Sequence, residues 1–134
     1  MTLLTKDNSR TLEIGHTDTW ISLYSTVITH LSAYSKEYKY ALKFLESGKC
    51  KHKNAMETGR QINLIRDQLA RIAPEEAIYD YQNPQKIAPW ENSLSPVVTS
   101  CANLYLTSDG KDMIFEIVSI LCYAAIMETD IISC

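Results

Sequence analysis

The segment that most invites a chemical interpretation is TSDGKD, residues 107–112, which precedes the most apolar run in the chain. It has acids in common with calcium-binding loops, but the alternating oxygen ligands and the bidentate glutamate of such loops are missing. Its Gly-Lys pair lacks the earlier glycine and the preceding strand of a phosphate-binding loop. The segment instead predicts a helix start, with Ser108 or Asp109 as the N-cap and Asp112 in the first turn.

No other segment offers a complete set of reactive side chains. Cys50 and His52 are close in sequence, but a structural zinc site needs four ligands. No Ser/His/Asp or Cys/His constellation can be assigned, because such partners adjoin in space rather than in sequence. We therefore expect no catalytic residue, no metal and no cofactor. Cys101 and Cys122 lie in apolar surroundings and are expected in the core.

Length and charge exclude several classes of protein. The 134 residues fit a single domain, 1–134. A net charge of −3 gives no overall basic field that would attract nucleic acid or a membrane surface. KCKHK, residues 49–53, is the only basic cluster, and its lysines are expected in a solvated turn. The chain shows neither a secretory leader nor an apolar run of membrane length, so a cytoplasmic location is expected.

The chain is expected to be mainly α, beginning with a long helical hairpin. An apolar stripe at steps of three and four predicts a helix over residues 17–47, unless Ser32 or Ser35 breaks it. Gly48 would end that helix, and a second helix is predicted over residues 54–72. Gly59 costs this second helix stability unless another backbone packs closely there. The stripe consists of Trp20, Tyr24, Val27, Leu31, Tyr34, Tyr38, Ala41 and Leu45.

A proline-bounded loop, residues 74–96, follows the hairpin. It contains all four prolines of the chain, which prevent long regular structure. A loop of this length is unusual unless it is functional. Four apolar side chains are expected to anchor it to the core, namely Tyr79, Tyr81, Ile87 and Trp90.

The last part of the chain is predicted to be a helix, a buried helix and a short strand. Residues 95–106 are expected to be helical, although Val97, Val98 and Thr99 suit a strand equally well. Residues 113–127 are apolar around most of the helix circumference, which is typical of a buried helix. Room remains for a turn and a short terminal strand. Residues 11–15, TLEIG, are a strand-like fragment or an ordered arm.

Glu116 stands out because it lies one turn inside that apolar helix. A buried carboxylate needs a partner or a raised pKa. Two interpretations remain open. Glu116 lies on the one polar edge of the helix, with Asp112 and Ser119, or it lines a surface that meets a partner.

The C-terminal half carries a resemblance to a known class of protein. The segments APWE, residues 88–91, and SPVVTSCANLYLTSDGKDMIFEIV, residues 95–118, resemble small immunity proteins of bacterial polymorphic-toxin and contact-dependent growth-inhibition systems. The resemblance extends from Trp90 to Ala125. It implies a non-enzymatic cytoplasmic inhibitor that is made beside a toxin, often a nuclease, and that binds the active site of this toxin or its neighbourhood. It carries over no catalytic residues.

An acidic, aromatic loop suits such a role, because acidic groups steer association with a basic partner and occupy phosphate-binding sites. The expected partner is a cognate toxin domain, a basic nuclease, with no direct binding to nucleic acid and no membrane. Tyrosines are common interface anchors, although they can equally hold the loop in place. The candidate partner-binding residues are Glu75, Glu76, Tyr79, Asp80, Tyr81, Asp109, Asp112 and Glu116.

Two rival functions remain open from sequence. A helical accessory or adaptor subunit would have a stable partner other than a toxin. A small enzyme with a site between helices would bind a metabolite or a metal. The oligomeric state does not follow from the sequence.

Overall fold

The computed structural model describes residues 1–90 and 93–134. Glu91, which belongs to the segment that carries the resemblance, lies outside them. The described helices are α1 (Thr17–His30), α2 (Lys39–Ser47), α3 (His52–Leu69) and α4 (Met113–Met127), and the strands are β1 (Thr2–Thr5), β2 (Thr11–Glu13) and β3 (Ile131–Ser133). Two 3-10 turns cover Ser32–Tyr34 and Pro74–Glu76. Helices dominate, but the three strands make the fold mixed rather than all-α.

The strands form one antiparallel sheet in the order β2-β1-β3, so both ends of the chain lie side by side. Leu3 of β1 pairs with Leu12 on one side and with Ser133 on the other, and its side chain is fully buried. The strand-like fragment is β2, and the predicted terminal strand is β3. The sequence analysis missed β1, because one of its two partners is more than a hundred residues away in the chain.

The predicted long first helix is wrong as a single element, since it breaks at Ser32, one of the two anticipated positions. After the break, the first backbone amides of α2 have no carbonyl partner within the helix, and the side chain of Gln61 in α3 binds two of them. Its side-chain Oε1 accepts hydrogen bonds from the backbone amides of Tyr40 and Ala41, each at 3.0 Å. Gly48 ends α2 in the left-handed conformation, as predicted (φ 70°).

The core lies mainly between α3 and α4, which pack along each other. Gly59 faces Leu121 at this contact. On the other side of α3, α1 joins α2 through Trp20, whose ring lies edge-on to Phe44. The Trp20 indole N–H also donates to the carbonyl of Leu45 at 2.7 Å. Because that carbonyl lies near the end of α2, this bond fixes where the two helices meet.

The predicted helix over residues 95–106 is wrong, because this stretch forms turns. The side chain of Asn103 organises them. It accepts hydrogen bonds from the amides of Thr99 and Ser100, both at 3.1 Å, and donates to the carbonyl of Val97 at 3.0 Å. A side chain that takes up these backbone groups competes with helical hydrogen bonding.

The cap of α4 was also assigned wrongly. Asp112 is the N-cap itself, and its Oδ1 accepts from the amide of Phe115 at 3.1 Å. Ser108 and Asp109 belong to a turn between Leu106 and Asp112, which form an antiparallel bridge. In that turn the Asp109 carboxylate accepts a hydrogen bond from the Thr107 hydroxyl, so it does not cap the helix.

Only one face of α4 is buried, which corrects the prediction of a fully buried helix. Ile117, Ile120, Leu121 and Ala124 are fully buried against the core. The outer face exposes Phe115 at 57% and Ile126 at 68%. Cys122 lies between them and is exposed, whereas Cys101 is in the core as expected.

We expect Gly59→Ala to stabilise the protein by about 0.5–1 kcal/mol, the usual cost of a glycine within a helix. A Cβ built at Gly59 would meet only Leu121 Cβ, at an ordinary 3.7 Å. Chemical denaturation of both proteins measures the difference. As a contrast, Gly15→Ala should destabilise, because Gly15 has φ +99° and its Cβ would lie 2.8 Å from Ser108 Cβ. A loss of stability in Gly59→Ala would mean that α3 and α4 are closer than described.

Asp112→Ala should lower the free energy of unfolding by about 0.5–2 kcal/mol, because it removes the N-cap of α4. Asp112→Asn, which keeps a capping oxygen, should retain most of the stability. Thermal or chemical denaturation compares both with Asp109→Ala. A larger loss in Asp109→Ala than in Asp112→Ala would contradict this assignment of the cap.

Candidate interaction surfaces

The proline-bounded loop is held by a row of hydroxyl groups on α1. Ser22 Oγ donates to the carbonyl of Ile78 at 2.8 Å, and the amide of Ile78 donates to Thr26 Oγ1 at 2.9 Å. Ser25 lies one turn after Ser22 on α1, and its Oγ accepts a hydrogen bond from the amide of Tyr81 at 3.0 Å. All three hydroxyl side chains are fully buried. These bonds fix the backbone of residues 78–81 without regular secondary structure.

A row of aromatic rings continues this contact from the core to the loop. Tyr105 is 1% exposed, and its hydroxyl lies 2.7 Å from Thr26 Oγ1 and 3.0 Å from Ser22 Oγ. The Trp90 ring stands edge-on to Tyr105, with ring centres 6.2 Å apart, and Tyr79 stands edge-on to Trp90 at 5.5 Å. The loop therefore packs on a row of edge-on aromatic rings, and the innermost ring, Tyr105, is hydrogen-bonded to α1.

Two of the four expected anchors of the loop are confirmed. Tyr79 and Trp90 belong to the aromatic row. Tyr81 stacks edge-on against Tyr24 but remains 44% exposed. Ile87 is 71% exposed, so its prediction as an anchor is wrong. The structure thus leaves Tyr81 and Ile87 as exposed apolar side chains on the loop.

The loop encloses an open groove of about 490 Å³, which we call the loop groove. Among its lining residues are two of the predicted acids, Glu75 and Asp80, together with Tyr79, Ile87 and Trp90. Glu76 is exposed beside Glu75 in the same 3-10 turn. The carbonyl of Glu76 lies 2.7 Å from His30 Nε2, so α1 holds this turn as well.

The charges of the loop groove are unevenly balanced. Lys86, which also lines it, is 3.3 Å from Asp18 Oδ2 and lies over the ring of Tyr79. Asp18 also accepts from the Tyr79 hydroxyl at 3.0 Å, and this hydrogen bond is the main reason why the pKa of the Asp18 carboxyl is lowered. Among the described residues, no ion pair involves Glu75, Glu76 or Asp80. An excess of negative charge therefore faces solvent there.

The other three predicted residues lie apart from the loop groove, near the start of α4. Asp109 is exposed in the turn, 3.5 Å from Lys111 Nζ, while Asp112 caps the helix. Glu116 is half-buried one turn further along. Within residues 1–90 and 93–134, no side-chain hydrogen bond joins these acids to those of the loop groove. Asp112 and Glu116 lie beside the exposed Phe115 at the start of α4.

The structure also gathers lysines that the sequence analysis left in a solvated turn. Lys49 and Lys51 of KCKHK join Lys6 and Lys43 around a second cleft of about 420 Å³, which we call the basic cleft. The basic cluster KCKHK thus supplies two of the four lysines around this cleft. Its other two lysines come from distant positions, and only the tertiary structure brings them together.

In the described part of the chain, no group of three or more His, Cys, Asp or Glu side chains could hold a metal ion. Among the described helices, none is both long and apolar enough to cross a membrane.

The buried Tyr105 hydroxyl leads to a prediction on stability. Burial raises the pKa of Tyr105 to about 12, above its ordinary value of 10. A raised pKa in the folded state stabilises the fold below pH 10, and this stabilisation is lost as pH rises from 10 through 12. Tyr105→Phe should cost about 0.5–2 kcal/mol at neutral pH, because it removes the hydroxyl shared by Ser22 and Thr26.

Chemical denaturation from pH 7 to pH 12 tests this prediction. The stability gap between wild type and Tyr105→Phe should shrink above pH 10. Tyr34→Phe is the matched control, since the Tyr34 side chain is 43% exposed. A difference in stability between wild type and Tyr105→Phe that stays constant to pH 12 would contradict a raised pKa of the buried Tyr105 hydroxyl.

The chain matches a known protein family. Residues 5–132 match the model of the family described as Immunity protein 70. The match covers almost the whole chain, including the loop, all four described helices, β2 and most of β3. No curated protein and no solved structure matches the chain.

Proposed function

We propose that this chain, which belongs to the Immunity protein 70 family and is therefore an immunity protein of a toxin system, binds and neutralises its cognate toxin without catalysis of its own. The match over residues 5–132 is the observation that carries this proposal. We propose further that the chain acts in the cytoplasm of a bacterium, in a contact-dependent growth-inhibition system. The toxin is proposed to be a basic nuclease whose active site, or its neighbourhood, is covered.

The loop groove is our first candidate for the toxin-binding surface. Glu75 and Asp80 in the groove and Glu76 beside it are free of ion pairs among the described residues, so a basic partner would gain attraction without first breaking internal pairs. Tyr81 and Ile87 are exposed on the same loop, and burial of such side chains supplies affinity that charge alone does not. The hydroxyl row of α1 holds the loop backbone, which lowers the entropy cost of binding.

The outer face of α4 is the second candidate surface. It combines Glu116 and Asp109 with the exposed side chains of Phe115 and Ile126. An apolar stripe with acids at one end also suits a basic partner that has an apolar centre. The two surfaces can be tested separately, because mutations in one leave the contacts of the other intact.

Charge reversal tests the first surface. In the triple variant Glu75→Lys, Glu76→Lys, Asp80→Lys, association with the toxin domain encoded beside this chain should slow by about tenfold or more. Association of the wild type should also slow as salt rises, since salt screens exposed charges. Stopped-flow or surface-plasmon kinetics at low and high salt measures both effects. A thermal midpoint near that of wild type shows that the fold survives.

The matched control compares two double variants with equal charge reversal. Glu75→Lys/Glu76→Lys acts at the loop, and Glu37→Lys/Asp67→Lys acts at exposed positions that do not line the groove. Only the first should slow association strongly. Should the loop triple variant associate as fast as wild type and still protect cells, the α4 surface is tested next with Asp109→Lys/Glu116→Lys. Failure of the wild type to bind the neighbouring toxin would overturn the proposed function itself.

A further inference from the structure

The basic cleft concentrates positive charge in a chain whose net charge is −3. Its four lysines come from three places in the sequence: Lys6 follows β1, Lys43 lies in α2, and Lys49 and Lys51 lie between α2 and α3. All four are exposed. Like charges gathered around one opening create a local positive field that attracts an anion.

The anionic groups near these lysines do not neutralise the cleft. Among the described residues, Asp130 is the only acid that lines it, and its Oδ1 is bonded to the His52 amide and to His52 Nδ1, both at 2.8 Å. These hydrogen bonds, and to a smaller extent the positive charge of Lys6, lower the pKa of the Asp130 carboxyl. Within the described part of the chain, no ion pair involves Lys6, Lys43, Lys49 or Lys51. With four lysines against one acid, the cleft keeps an excess of positive charge that is available to an external anion.

The floor of the basic cleft is apolar. Phe44 and Ile131 form part of its lining, each 1% exposed, and Ile132 adds a side chain that is 36% exposed. The backbone here is rigid, because Cys50 and Ile131 exchange amide-to-carbonyl hydrogen bonds at 3.0 and 2.8 Å. A ligand that fits this cleft combines an apolar group for the floor with negative charges for the rim.

We propose that the basic cleft is a docking site for an acidic segment of a protein partner, in which an apolar side chain is flanked by carboxylates. The apolar side chain would cover the floor beside Ile132, and the carboxylates would pair with Lys43, Lys49 and Lys51. Charge complementarity selects an acidic occupant, and the apolar floor favours a peptide over a simple phosphate ion. Lysine suits this use because its flexible stem lets a point charge follow the partner.

This proposal is independent of the loop groove and of the toxin. The cleft lies at the end of the α2–α3 hairpin where Ser47 and Asn54 are found, next to β3. The described residues that line the loop groove fall between Pro74 and Leu94, and none of them lines the basic cleft. The cleft can therefore be tested on the protein alone, whatever the outcome with the toxin.

The probe is a short capped peptide with a leucine flanked by glutamates, titrated into the full-length, isotope-labelled chain and followed by amide NMR shifts. Saturable shifts are expected at Lys49, Asn54 and Ile132. A peptide with glutamine in place of glutamate, or serine in place of leucine, should bind more weakly. Binding of the acidic peptide should also weaken as salt rises, because the cationic rim is exposed.

Lys43→Gln/Lys49→Gln/Lys51→Gln should weaken binding of the acidic peptide by about tenfold. The matched control removes as many positive charges elsewhere, with Lys36→Gln/Arg71→Gln/Lys111→Gln, and should bind as wild type does. The single variant Lys43→Gln provides the comparison if the triple variant does not fold. The proposal is overturned by any of three results: no saturable shift with the acidic peptide, equal binding by the lysine variants and wild type, or shifts at these residues with pyrophosphate but not with the peptide.

Discussion

The hydroxyl face of α1 is the interaction on which the irregular half of this protein depends. In its described residues, the segment between α3 and α4 contains 3-10 and other turns but no long helix or strand, so its backbone needs partners from elsewhere. Ser22, Ser25 and Thr26 supply them inside the protein, where a hydrogen bond that is not made costs most. Among the described residues, no buried side-chain nitrogen or oxygen lacks a hydrogen-bond partner. The loop groove keeps its shape because α1 holds its base.

α4 connects the irregular segment that precedes it with the helical core. Its inner face packs on α3 and completes the core, and Asp112 at its start follows directly on the turn that ends the irregular segment. Its outer face has no cover within the described residues over Phe115 and Ile126. The same helix therefore stabilises the core with one face and offers an apolar surface with the other. A partner that covers this outer face would gain hydrophobic contact without disturbing the core.

The positions of the charged residues on this protein are more informative than its net charge. The chain averages to −3, which says little about partners. The fold places unpaired acids at the loop groove and unpaired lysines at the basic cleft, on surfaces that share no lining residue. Each local field is stronger than the net charge implies, because exposed charges act mainly within about 8–10 Å at physiological salt.

The sequence by itself determined the elements whose causes are local. The second helix, the terminal strand, the end of α2 at Gly48 and the resemblance to immunity proteins were all available from spacing and residue type. Only the tertiary structure decided the rest, because the deciding partners are distant in the chain. Gln61 caps α2 from another helix, Asn103 replaces helical bonds with its own side chain, and β1 pairs with a strand at the opposite terminus. For the candidate surfaces, the sequence indicated the acids and the basic cluster. It could not show that Lys6 and Lys43 join Lys49, since side chains far apart in sequence converge only when the core has packed.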